Sequence, residues 1–202
     1  MFGLNYLKLW QQLKQHEGCI NHMYLDSVGI VTVGVGHAIF NHNMLDGIKF
    51  IYKHNGQLAC SADVKAEYNY IKTYADKNYN AKAFDKLTKL ELAPNQSDKL
   101  FAADLNQAIY AVNNYLTRLK SLQFFTIPQP AMHAMVSMTF NMGHTKFLGG
   151  NKWPKFKAAL KKRDWQECAI QTNYRGPSKQ RIADLKECFM HAARIEQSLP
   201  RF

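Results

Sequence analysis

Apolar residues recur every three to four positions near the start of the chain. Tyr6, Leu9, Trp10 and Leu13 fall on one side of residues 4–16, while Gln11, Gln12 and Lys14 fall elsewhere. That spacing predicts an amphipathic helix. Glu17 continues the apolar side four residues after Leu13, and Gly18 supplies a stop signal. A carboxylate therefore ends this helix on or near its buried side, an unusual place for a glutamate that only solubilises. Over residues 24–37 the period changes to two. Val31, Val33 and Val35 point one way, and Thr32, Gly34 and Gly36 the other, which predicts a strand. Asp26-Ser27-Val28-Gly29 provides turn residues ahead of it. The second side of the strand is almost bare, so either a large ligand lies close to its backbone or the glycines serve a tight, well-packed hairpin.

Residues 41–96 carry the weakest pattern; short helices are predicted over 62–76 and 80–91, with Pro94-Asn95 closing the stretch. The stripe Phe101, Leu105, Ala108, Ile109, Val112, Leu116 and Leu119 predicts a long helix over 97–119. After the break Thr126–Pro130 comes a very apolar helix over 130–142, carrying Met132, Met135, Val136 and Phe140. Methionines at helical spacing indicate adaptable core packing rather than a cofactor site. Three shorter helices follow over 154–161, 163–171 and 178–197. The fold class is therefore α+β: mainly helical, with a small N-terminal β-hairpin or sheet lobe and a larger helical lobe. The chain reads as one domain over 1–202, with an N-terminal lobe at 1–96 and the long connecting helix and helical lobe at 97–202.

Charge narrows the partners. Twenty-six Lys and Arg against fifteen Asp and Glu give a net charge of +11, which attracts polyanions such as nucleic acid, anionic membranes or bacterial wall. The chain has no zinc finger, glycine-rich aromatic strand motif or recognition-helix signature, and nucleic acid is not the expected partner. Cys19, Cys60, Cys168 and Cys188 form no CxxC pair, so free buried thiols are expected, with neither a zinc site nor a cofactor. No secretory leader is visible. No apolar run approaches the roughly 20 residues of a membrane span, so no stable membrane insertion is expected.

Two acidic side chains in unlike surroundings suit glycosidic bond hydrolysis, which needs a proton donor for the leaving oxygen and a carboxylate that activates water or attacks directly. Glu17 at an apolar helix end and Asp26 in a polar turn fit that pair, and the Thr32 hydroxyl could orient a water. Taken alone, Asp26 could equally cap its own turn, and Thr32 could simply favour a strand.

The run Glu17-Gly18, Tyr24-Leu25-Asp26-Ser27-Val28-Gly29, then Thr32-Val33-Gly34-Val35-Gly36-His37 resembles the active-site signature of the phage T4-type lysozymes, glycoside hydrolase family 24. Ala103-Asp104-Leu105 is similar to the family's long helix, and Gln129 to Gly143 resembles its segment ending in Phe-Asn-x-Gly. The resemblance covers residues 1–40 and 97–197; residues 41–96 look like an insertion. It implies a lysozyme-like fold and hydrolysis of the β-1,4 bond between N-acetylmuramic acid and N-acetylglucosamine, with inversion. It further implies Glu17 as general acid, Asp26 and Thr32 as holders of the attacking water, Gly34 and Asn141 at the sugar, and His37, Tyr24 and Arg181 in support. Arg175 is the second choice for an arginine pairing with the acid. The implied partner is bacterial peptidoglycan, reached by lysis, a holin-type pore or injection, as a phage endolysin or an antibacterial effector. A monomer is the default, and an effector would have an immunity or inhibitor protein as partner. The competing expectation is an inactive wall-binding protein on the same fold.

Overall fold

Among the described residues every strand lies between Ile20 and Leu92, and helices dominate the rest. The computed structural model describes residues 5–75, 80–119, 126–174 and 176–198; the side chains of His16 and Glu17 lie outside that set. In order, the elements are α1 (Tyr6–Glu17), β1 (Ile20–Leu25), β2 (Val31–Gly34), β3 (His37–Ile39), β4 (Phe50–Tyr52), α2 (Ser61–Lys72), β5 (Leu90–Leu92) and α3 (Gln96–Arg118). Then come α4 (Gln129–Met142), α5 (His144–Phe147), α6 (Pro154–Lys161), α7 (Trp165–Ile170) and α8 (Lys179–Ser198). This is the α+β class, with a small antiparallel sheet lobe. The chain packs as two units, residues 17–104, and residues 1–16 together with 105–202.

In the 17–104 unit, β1, β2 and β3 form an antiparallel sheet in that order. The expected extended run over 24–37 is three pieces. Val33 pairs with His37, so the chain reverses at Val35-Gly36; Gly36 has φ +78°, a backbone that glycine adopts without steric penalty. Met23, Leu25, Val31, Val33 and Ile39 turn into one core with Phe50, Tyr68, Ile71 and Phe84. The helix expected over 80–91 is instead a 3-10 turn at Ala81–Lys86 followed by β5, which pairs antiparallel with β4. Phe84, Leu87 and Leu90 are spaced like a helix face, but Leu90 and Leu92 are buried on either side of half-buried Glu91. That alternation belongs to a strand.

In the other unit α4 is buried along most of its length, without a break from Ala131 to Thr139. The methionines there are core packing. Leu9 and Leu13 of α1, Leu105, Val112 and Leu116 of α3, and Leu185 and Phe189 of α8 are buried in the same unit.

His133 on α4 is 4% exposed, and its Nε2 accepts the Asn5 N–H at 3.2 Å. Burial, aided by the Lys8 charge, pushes its pKa from 6.5 down to about 4. Between those values the unfolded chain holds a proton that the folded chain does not, so stability falls as pH drops through this window. The expected loss from this group is roughly 3 kcal/mol by pH 4. Urea unfolding of wild type and His133→Gln at pH 7 and pH 4.5 checks it: the variant should lose distinctly less stability on acidification.

Candidate active site

The turn between β1 and β2 is closed on Asp26. The Val28 and Ile30 N–H groups donate to Asp26 Oδ1 at 2.9 and 2.8 Å. The Asp26 N–H donates to the Ile30 carbonyl at 2.9 Å, and the Gly29 N–H to the Asp26 carbonyl at 3.1 Å. Gly29 sits at φ +78°, where a side chain would be strained. Asp26 therefore does cap its turn, but with one oxygen; among the described residues Oδ2 accepts no hydrogen bond. Thr32 is 3% exposed. It stands opposite Tyr24 in the sheet, so the two side chains share a face. Its hydroxyl donates to the same Ile30 carbonyl at 3.0 Å. The Ile30 peptide thus ties Asp26 to Thr32, donating to one and accepting from both.

Of the two readings of the glycine side, packing holds at Gly34, whereas a Cβ at Gly36 would meet nothing within 4 Å. Gly34 has φ +65°, and a Cβ there would lie 3.1 Å from Ser97 Oγ and 3.4 Å from Leu92 Cδ1. The missing side chain makes room for the start of α3 and the end of β5. Ser97 Oγ also lies 3.1 Å from Cys19 Sγ.

His37 is anchored by a residue the sequence did not single out for it. Its Nδ1 lies 2.8 Å from Asp104 Oδ2, with both side chains mostly buried. This pair joins β3 to α3 across 67 positions of sequence. A charge-assisted hydrogen bond of this kind contributes about 1–3 kcal/mol. Asp104→Asn and His37→Asn should each destabilise by that order, and the double variant by clearly less than their sum. Denaturant unfolding of the four proteins measures that coupling.

Glu17 is the last residue of α1, and Gly18 follows at φ +69°, the backbone of a left-handed helix stop. The Glu17 side chain and Arg175 lie outside the described residues. In the helical unit, Asn141 is exposed in the last turn of α4 and its Oδ1 accepts the Tyr174 hydroxyl at 3.3 Å. The helix is closed by Gly143, whose N–H donates to the Thr139 carbonyl, so Asn141 is not the cap. Arg181 is 3% exposed, and its Nη2 donates to the Ser137 carbonyl and hydroxyl at 3.3 and 3.4 Å.

Tyr24, Asp26, Thr32, Gly34 and His37 are thus gathered on one small sheet and its turns. Asn141 and Arg181 belong to the other unit. Asp104, Ser97 and the Ile30 peptide were missed, and only Asp104 carried a signal, as the acid within Ala103-Asp104-Leu105. Among the described residues no cluster of three or more His, Cys, Asp or Glu is placed to hold a metal. All four cysteines are free thiols, but Cys19 and Cys60 are exposed rather than buried. No described helix is long and apolar enough to cross a membrane. Compared with known proteins, residues 14–92 match the family model for phage lysozyme. That stretch contains Glu17 and all five of the sheet residues above. No curated protein matches the chain.

Proposed function

We propose that this chain is a muramidase that hydrolyses the β-1,4 bond between N-acetylmuramic acid and N-acetylglucosamine in bacterial peptidoglycan. The observation that carries the reading is the phage lysozyme match over residues 14–92, which supports a lysozyme-type glycoside hydrolase.

The chemistry follows from the turn. Glu17, at the C-terminal end of a helix, meets the negative end of the peptide dipoles. That favours the neutral carboxyl group that can protonate the leaving oxygen. Asp26 keeps Oδ2 for a water, since Oδ1 is held by two backbone N–H groups. The Thr32 proton is committed to the Ile30 carbonyl, so its oxygen can only accept. A water donating one hydrogen to Asp26 Oδ2 and the other to Thr32 Oγ1 has a lone pair left for the anomeric carbon. Transfer of its proton to Asp26 as the C–O bond forms, with protonation of the departing oxygen by Glu17, is a single displacement with inversion. His37 with Asp104 braces the hairpin, and Tyr24 stands beside Thr32. The net charge of +11 draws the protein to anionic wall polymers. The setting is phage lysis or attack on a neighbouring cell; in the latter an immunity protein is the matching partner.

The test is the anomeric configuration of freshly released ends, followed by NMR during digestion of purified peptidoglycan. The α-anomer should appear first. The β-anomer first would overturn the single displacement. Binding without release of any reducing end, by folded protein on several wall types, would overturn the muramidase reading in favour of a wall-binding protein.

A further inference from the structure

The positive charge is divided unevenly between the two units. Residues 17–104 carry nine Lys and Arg against ten Asp and Glu. The helical unit carries seventeen against five, so it holds the whole positive excess. Between Asp104 and Asp164 the chain has nine Lys and Arg and no acidic residue. Seven of those nine fall between Lys146 and Arg163, on α5, α6 and the chain that joins them.

Two of the seven are engaged inside the fold. Lys157 Nζ donates to the Leu148, Gly149 and Gly150 carbonyls at 2.9–3.3 Å. Arg163 pairs with Glu196 and donates to the Thr126 carbonyl. These two hold the segment in place. Lys146, Lys152, Lys155, Lys161 and Lys162 are exposed, and none makes a hydrogen bond or ion pair among the described residues. The pattern of α6 explains this. Phe156, Ala159 and Leu160 are buried, which leaves Lys155, Ala158 and Lys161 exposed. Lys155 and Lys161 stand about 9 Å apart along the helix. That is close to the Debye length of about 8 Å at physiological salt, so neighbouring fields reinforce one another. On α8, by contrast, Lys179, Lys186 and Arg194 are interleaved with Asp184, Glu187 and Glu196, an ordinary solvated face.

An acid-free cationic surface takes a polyanion, and its surroundings decide which one. No large apolar side chain is exposed between residues 144 and 169, so the surface has nothing to bury in a bilayer. Phe147 and Phe156 are buried. The half-buried Trp153 ring packs T-shaped against Phe147, Phe156 and Tyr174. The surface thus lacks the exposed aromatic platform on which nucleobases stack. What fits is a flexible chain whose charges lie along its backbone.

We propose that the α5–α6 surface binds an anionic wall polymer of linked phosphodiesters, of the teichoic acid type, through Lys146, Lys152, Lys155, Lys161 and Lys162. Resting on the muramidase reading, this surface retains the protein on the wall while the glycan is cut. Retention then belongs to the helical unit, and the nearly neutral 17–104 unit, with the sheet residues of the candidate site, adds little to it.

The probe is purified poly(glycerol phosphate) wall polymer, titrated into the full chain by calorimetry at 50 and 200 mM salt. Saturable binding is expected, weakened by roughly 10²-fold at the higher salt, as about five displaced counterions require. Replacing Lys146, Lys152, Lys155, Lys161 and Lys162 together by Gln should weaken binding by about tenfold or more at 50 mM salt and flatten its salt dependence. These positions are exposed, and glutamine keeps the helix propensity of lysine. The control replaces Lys49, Lys82, Lys86, Lys89 and Lys99 by Gln. It removes the same net charge from the 17–104 unit and should stay within about threefold of wild type. No saturable binding by wild type, equal losses in the two variants, or tighter binding to anionic lipid vesicles or duplex DNA at equal phosphate overturns the proposal. Digestion of wall stripped of the polymer separates the two readings. Cutting of stripped wall without polymer binding removes this surface alone, whereas polymer binding without any cutting removes the muramidase reading and leaves the surface standing.

Discussion

Glu17→Gln is expected to lower kcat for peptidoglycan hydrolysis by about 10²–10⁴-fold, with KM little changed. Glutamine occupies nearly the same volume and can hydrogen-bond the glycosidic oxygen, but it has no acidic proton to transfer. The effect therefore falls on the transition state rather than on binding. Position supports a clean result: Glu17 closes α1 just before Gly18, so the substitution disturbs no helix interior. Asp26→Asn is the informative companion. Its side-chain oxygen can still accept the Val28 and Ile30 N–H groups that hold Asp26 Oδ1, so the turn should persist while the base for water is lost. Steady-state rates on purified wall, with circular dichroism to confirm folding, measure both. A Glu17→Gln variant within about threefold of wild type would remove Glu17 from the acid's role.

Trp165→Ala is expected to destabilise the chain by about 3–5 kcal/mol, a large share of the roughly 5–15 kcal/mol that holds a typical domain together. Trp165 is 2% exposed at the start of α7. Its ring lies nearly parallel to that of Phe189 on α8, with centroids 6.5 Å apart and a 9° interplanar angle. The Arg163 guanidinium sits over the indole, 5.8 Å from its centroid. The indole N–H donates to Glu196, which also pairs with Arg163. Truncation thus opens a large void and takes one donor from a carboxylate that keeps the other. Trp165→Phe should fall between, since it retains most of the packing but not the N–H. Urea titration checks this, with the midpoint shifted and the slope unchanged. A loss below about 1 kcal/mol would mean the α7–α8 packing collapses readily around the gap.

The longer helices beyond the small sheet lobe were legible because their signals are local, whereas the four-residue α5 was not expected. The expected 154–161 is α6, and Gln96–Arg118 follows the stripe from Phe101 to Leu116. Asp164, which caps α7 through the Glu167 N–H, places that helix's start two residues beyond the expected one. The strands β4 and β5 were not legible. Each has three residues, too few for a period to show, and each is held by pairing with chain distant from itself, β4 with β5 and with Leu58. The candidate site divides in the same way. Asp26 and Thr32 stand out as residue types in a spaced pattern, but the Ile30 peptide that links them is backbone and leaves no trace in residue identity. His37 was legible, whereas Asp104 as its partner depends on a contact 67 positions away. The glycine side of β2 stayed undecided between ligand and packing, because sequence shows what Gly34 lacks, not that Ser97 and Leu92 fill the space.

The central claim is tested most directly by mass spectrometry of the soluble fragments that the wild-type protein releases from purified peptidoglycan. Muropeptides with new reducing N-acetylmuramic acid ends are expected, one water having been added for each bond cut. Fragments with anhydro ends would contradict attack by water, and peptide fragments with intact glycan would contradict the assignment of the bond itself.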